Sequence, residues 1–302
     1  EMDKQDKINK VVICGGTHGN ELSGVYLVKK WLSTQDKVQR PSFKTDLIIS
    51  NVKAIEACTR YVDTDLNRCF SESLLNAEVG ENAAYETVRA KELHQQISGQ
   101  KSNPQTDFVI DLHNTTANMG VCVIVLDAVS PFMKAMIKSL SDISGITFYD
   151  HKSERMSDPC LRSLGKYGMS LEVGPLAHGT ISAELYKKTE QVVHKILDFI
   201  QNWNTDAKAI LALPKKTIDV YSHGHNVDYP RNSDGTLNGM VHESVNGNDY
   251  CKLEKGSPLF VTFEGEIVTY DKEEPAWPIF VSEAAYLEKK FAMTLTTKKQ
   301  LE

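Results

Sequence analysis

No run in this 302-residue sequence approaches the roughly eighteen uninterrupted apolar residues of a membrane-spanning helix, so no membrane role is expected. Cysteine is sparse: the six present, at positions 14, 58, 69, 122, 160 and 251, form no CxxC pair. They are scattered, several within apolar strand-like runs, and we read them as reduced core residues rather than a disulfide framework. Positive charge is not in excess, and the net charge of −6 argues against nucleic acid as a partner. A small anionic substrate remains compatible with it, because local arginines can still bind one. The first residues, Glu1-Met2-Asp3-Lys4-Gln5-Asp6-Lys7, are too charged for a secretory signal, which makes the cytoplasm the expected location. No basic cluster compels a nuclear one, which stays open. Asn114-Thr115-Thr116 matches a glycosylation sequon, coincidental without a secretion signal.

What the chain does have is an alternation of short β-rich runs with helical patterns up to about residue 205, which predicts an α/β layer architecture. Strands are expected at Val11 to Cys14, Asp46 to Ser50, Phe108 to Leu112, Val121 to Leu126, Ile146 to Tyr149 and Met169 to Val173. Helices are expected around Leu22 to Leu32, Ala84 to Ile97, Pro131 to Leu140 and Ala183 to Ile200. After Trp203-Asn204 the texture changes to short strand candidates separated by turn signals such as Asp234-Gly235 and Asn246-Gly247. We therefore expect a first domain over residues 1–206 and a smaller, mostly β domain over 207–302.

Four stretches carry chemistry. "CGGTHGNELSG", Cys14 to Gly24, holds His18 and Glu21 in a glycine-rich strand-to-helix turn. The two are either solvated there or face one point at the start of a helix. In "FVIDLHN" a strand pattern ends at His113, either a metal ligand or a capping histidine at a strand end; Asp111, two positions earlier on the same face, either orients the imidazole or serves another buried donor. Two neutral imidazoles and one carboxylate make a catalytic zinc pattern that leaves a position for water. A third stretch, "TRYVDTDLNR", places Arg60, Asn67 and Arg68 in a segment of little periodicity. Read locally they are surface ion pairs more often than contacts to a carboxylate ligand, which arginine's planar fork also suits. The fourth, "GMSLEVGP", puts Glu172 in an apolar strand, where a carboxylate is costly unless paired or functional. A general base and a structural ion pair are both compatible with that position. His223 and His225, in "YSHGHN", lack acidic or thiol neighbours and read as loop residues rather than a second metal site.

"GGTHGNE", "RYVDTDLNR", "DLHNTT" and "LEVGP" occur in the order that resembles the aspartoacylases and their aminoacylase relatives, within the zinc carboxypeptidase-like folds. The similarity extends to "VDYPR" at Val227 to Arg231 and "EAAYLEKK" at Glu283 to Lys290. The resemblance implies a mixed sheet flanked by helices with a smaller mostly β C-terminal domain, one zinc ion per chain, and a homodimer. It implies His18, Glu21 and His113 as metal ligands, Glu172 as general base and Arg60 as the group polarising the scissile carbonyl. Asn67, Arg68 and Tyr286 become substrate-carboxylate contacts. Aspartoacylases carry an arginine in the loop before the general base, and Arg162 stands there in this chain. The implied reaction is hydrolysis of N-acetyl-L-aspartate to acetate and L-aspartate. The alternatives are an aminoacylase for neutral or aromatic N-acyl amino acids and a silent zinc-binding recognition protein. Two departures stand out: Asp158 replaces a tyrosine four positions before Arg162, and His178, in "GPLAHGT", stands in a stretch that is glutamine-rich in the family. An acidic side chain at 158 facing the pocket would repel a dianion.

Overall fold

A computed structural model describes residues 7–98, 106–151, 159–214 and 216–301, so Asp158 lies outside the described residues. The first half runs β1 (Lys10–Gly15), α1 (Leu22–Ser33), β2 (Lys44–Ile49), α2 (Val52–Ala57), α3 (Glu72–Asn76), α4 (Tyr85–Ser98) and β3 (Phe108–Asn114). It continues through β4 (Gly120–Val125), α5 (Pro131–Leu140), β5 (Ile146–Asp150), β6 (Tyr167–Gly174) and the long α6 (Ala183–Leu211). The remainder is β7 (Ile218–Val227), β8 (Gly239–Val241), β9 (Pro258–Thr262), β10 (Ile267–Thr269), β11 (Trp277–Ile279) and β12 (Met293–Leu301). Among the described residues no helix is long and apolar enough to cross a membrane.

The nine-stranded main sheet has the order β11-β12-β7-β5-β4-β6-β3-β1-β2. Strands β2, β1, β3 and β6 are mutually parallel, and β4 turns antiparallel against β6, which makes the sheet mixed. β3 is buried along its whole length, as expected for a strand covered on both faces. Helices α1, α5 and α6 cover one face through a cluster that includes Trp31, Phe108, Phe132, Phe199 and Trp203. The Phe132 ring sits 5.2 Å from Trp203 and 5.8 Å from Phe108 in edge-to-face contacts that fix α5 and α6 to the sheet.

The C-terminal residues depart from a self-contained β unit. Only β8, β9 and β10 form a separate three-stranded antiparallel sheet; β7, β12 and β11 extend the main sheet. The reason is pairing, since β7 lies parallel to β5 and then recruits β12 along its length. We propose a functional division near residue 206, where α6 kinks at Asp206. His225 lies on β7, opposite Leu295, rather than in a loop.

Candidate metal centre

The site forms where β1, β3 and β6 end. At Gly16 the backbone takes φ +76°, a conformation open to glycine, and at Gly19 an added Cβ would lie 2.1 Å from the Ala54 carbonyl carbon. This turn delivers His18 and Glu21 to the start of α1. Glu21 stands at the N-cap position, yet its side chain makes no capping bond. It turns instead to the histidines: Oε1 lies 2.7 Å from His18 Nδ1 and Oε2 2.8 Å from His113 Nδ1. The nearby histidine charges hold the Glu21 carboxyl well below the usual range, against the effect of its burial.

His18, Glu21 and His113 are all buried, with ligand atoms within 4.8 Å of one another. The far nitrogen of each ring also meets a carboxylate. His113 Nε2 is 2.7 Å from Asp111 Oδ2, and His18 Nε2 is 3.1 Å from Asp65 Oδ1. A carboxylate can only accept, so without a metal the protons between these rings and their carboxylates lie on the ring nitrogens. The two Nδ1 atoms, 3.2 Å apart, face each other and the Glu21 oxygens. A cation there would displace the Nδ1 protons, with each neutral ring still donating from Nε2 to its aspartate, so this donor set fits a metal ion. It is the only such group among the described residues.

The second carboxylate, Asp65, was not anticipated. It accepts from Arg60 Nε at 3.3 Å, from Lys289 Nζ at 2.8 Å and from the Asn67 backbone N–H at 3.0 Å. Asp111 accepts from the Thr17 hydroxyl at 2.7 Å. Both histidines are therefore clamped from behind, which sets tautomer and ring angle. Asp65→Asn and Asp111→Asn are each expected to weaken metal affinity about 10- to 100-fold, measured by competition with a chelator.

Arg60 donates to Glu21 Oε1 at 3.3 Å as well as to Asp65, so it is anchored beside the ligands rather than on the outer surface. Glu86, fully buried, accepts from the backbone N–H groups of Val62, Asp63 and Thr64 and from Asn51, which shapes the loop carrying Asp65. Glu172 is paired in register with His113 on the adjacent strand. Burial pushes its carboxyl up to about 8, helped by Glu21 and Glu283 and opposed by His113 and Arg60. Positive charge on the triad would oppose that rise further.

Asn67 uses its side-chain oxygen to hold the Leu161 backbone N–H at 2.9 Å, which fixes the turn Leu161–Leu164. Arg162, in that turn, is 6 % exposed, and its Nη1 donates to Ser170 Oγ at 3.1 Å. Its Nε finds no hydrogen-bond partner among the described residues. Ser170 and Glu172 are two apart on β6, so Arg162 approaches the face that carries Glu172. Arg68 is exposed, and Arg68 and Arg60 both bear electrostatically on Tyr286. Tyr286 closes a short turn, Ala284–Tyr286, and its ring packs at a tilt against Phe291, centroids 4.4 Å apart.

Glu283, in the "EAAYLEKK" stretch, is a further buried carboxylate near the site. Its carboxylate accepts from the Thr115 hydroxyl and the Thr116 N–H and lies 3.3 Å from His178 Nε2. It thereby ties the segment before Tyr286 to the loop after His113. Asn114 is buried, donating to Val173 and accepting from Ser23, which removes it as a glycan acceptor in the folded protein. A cavity of about 390 Å³ is lined by Arg60, Tyr61, His178, Ala284, Ala285, Leu287 and Glu288, and Arg60 connects it to the triad through Glu21.

Residues 7–200 match the succinylglutamate desuccinylase/aspartoacylase catalytic domain, and residues 216–298 match the AstE/AspA barrel-sandwich hybrid domain. The chain is 43% identical to a probable aspartoacylase of Nostoc sp., covering 98% of each. It is 37% identical to the aspartoacylase of Mus musculus, over 98% of this chain and 95% of that one. The N-acyl-aromatic-L-amino acid amidohydrolase (carboxylate-forming) of Homo sapiens is 38% identical, over 97% of this chain and 92% of its own length. The solved structure of murine aminoacylase 3 superimposes with a TM-score of 0.92 at 35% identity, covering 98% of this chain and 97% of that one. The chain therefore belongs to the succinylglutamate desuccinylase/aspartoacylase family, as an amidohydrolase whose metal site is the buried set His18, Glu21 and His113.

Proposed function

We propose that the protein is a zinc-dependent amidohydrolase, one zinc per chain, that hydrolyses N-acetyl-L-aspartate to acetate and L-aspartate in the cytoplasm as a homodimer. The observation that carries the substrate is Arg162, a buried arginine whose Nε has no hydrogen-bond partner among the described residues, held against the strand of Glu172. Such a group calls for an anion, and the side-chain carboxylate of aspartate supplies one.

Zinc on a two-histidine, one-carboxylate set supplies Lewis acidity and lowers the pKa of water. Glu172 accepts the proton of the attacking water and returns it to the amide nitrogen as the C–N bond breaks. Arg60, with one N–H on each terminal nitrogen left after its bonds to Glu21 and Asp65, donates to the carbonyl oxygen as charge builds there. Asn67, whose side-chain oxygen is taken by the Leu161 N–H, acts through its amide nitrogen with Arg68 and Tyr286 on the second carboxylate. Tyr286→Phe should mainly raise KM with kcat retained, because a lost binding contact acts on ground and transition states alike. Unchanged kinetics in that variant would remove Tyr286 from the site.

The aminoacylase reading has an observation of its own. Identity to the human aromatic amidohydrolase and to the mouse aspartoacylase is nearly equal, at 38% and 37%. Arg162 weighs against it, since neutral substrates leave that charge unpaired. The silent-binder reading is disfavoured by Glu172 and Arg60 standing beside the triad. Acetate release from N-acetyl-L-aspartate, followed before and after chelation and after zinc is restored, tests the proposal. Activity should vanish with the metal and return with it; a protein that holds zinc and releases no acetate would refute the enzyme reading.

A further inference from the structure

The larger cavity, about 970 Å³, lies far from the metal centre, between α5 and the C-terminal part of α6. α6 begins just beyond the Glu172 strand, and Phe199 in the cavity wall is sixteen residues further on, about 24 Å along the helix at 1.5 Å per residue. Its volume falls in the range of small-molecule sites.

The wall is apolar where helix ends meet. Val129, Leu211 and Leu213 are 55%, 46% and 65% exposed and face the cavity with Phe199 and Ile210. Large apolar side chains gathered at one concavity mark a ligand surface more often than scattered ones do. The rim is basic. Lys134 and Lys138, both half-buried, stand one helical turn apart on α5, so their like charges repel. Neither makes an ion pair with any other described residue that lines the cavity. Asp198 is committed to Arg40 at 2.7 Å, and Asp142 to Lys216 at 2.6 Å. Lys195 adds a further positive charge to the same cavity. In a protein of net charge −6, this is a local surplus of positive charge over an apolar floor.

We propose that this cavity binds a small amphipathic carboxylate, with its alkyl tail against Phe199, Ile210, Leu211 and Leu213 and its head between Lys134, Lys138 and Lys195. A second copy of the chain fits less well. A two-fold contact there sets this lysine surplus against itself. Zinc and the catalytic groups take no part, so the inference stands apart from the proposed reaction.

Dodecanoate, titrated calorimetrically into the full chain below its micelle concentration, is the probe. Saturation at one molecule per chain is expected, with dodecanol binding at least about tenfold more weakly. The double variant Lys134→Glu/Lys138→Glu should weaken dodecanoate at least about tenfold at unchanged melting temperature, and Leu213→Asp should do the same. Equal binding of dodecanol by the native protein, or full binding by the lysine variant, would overturn the proposal without reliance on any marginal fold. So would the absence of saturable binding. A shift from dimer to monomer in Leu213→Asp would identify the groove as a subunit interface and overturn it too.

Discussion

Glu172→Gln should retain close to one metal ion per chain while kcat falls by about a hundredfold or more, the scale of a lost general base. The separation of effects follows from position. Glu172 pairs in register with His113 but contributes no atom to the ligand set, so the amide of glutamine leaves the triad intact. His18→Ala and His113→Ala act the other way, because each removes a ligand, and should lose the metal itself. Metal analysis beside steady-state kinetics distinguishes the cases. A Glu172→Gln protein that loses metal in step with activity would make Glu172 a ligand.

Arg162→Leu should collapse substrate preference. The side chain is 6 % exposed and bonded through Nη1 to Ser170, which holds its charge in place before substrate arrives. A site that keeps a buried charge waiting penalises any substrate unable to pair with it. The native protein should therefore favour N-acetyl-L-aspartate over N-acetyl-leucine by about a hundredfold in kcat/KM, or about 2.7 kcal/mol. With leucine at 162 that ratio should shrink, chiefly through a slower aspartate reaction, with metal still bound. A preference unchanged in Arg162→Leu would place the arginine outside the pocket.

The sequence made the inner strands readable, since an apolar run such as Phe108 to Leu112 admits few places other than a covered strand. It also showed Asp111 and His113 on one face, and the structure brings them to 2.7 Å. What it hid were contacts made across the chain. Asp65 sits in a polar segment without periodicity, and its ion pair with Lys289 joins residues 224 positions apart. Glu283 likewise reaches Thr115 across 168 positions, and local pattern carries no trace of such a partner. The C-terminal strands were visible as strands, but which sheet they join depends on pairing partners. β7 chose the edge of the main sheet at Tyr149 and Asp150, and β12 and β11 followed it. Arg60 posed the same difficulty: only the folded chain shows whether an arginine in a loop faces water or a metal ligand.

The central claim, a metal amidohydrolase built around Arg162 for an acidic substrate, is tested most directly by one competition measurement. The zinc-loaded native protein is given equal N-acetyl-L-aspartate and N-acetyl-L-tyrosine, and the released amino acids are quantified. Aspartate should exceed tyrosine by about a hundredfold or more, the ratio expected when a buried charge is left unpaired. Release of tyrosine in excess of aspartate would contradict the account and establish the aminoacylase reading in its place.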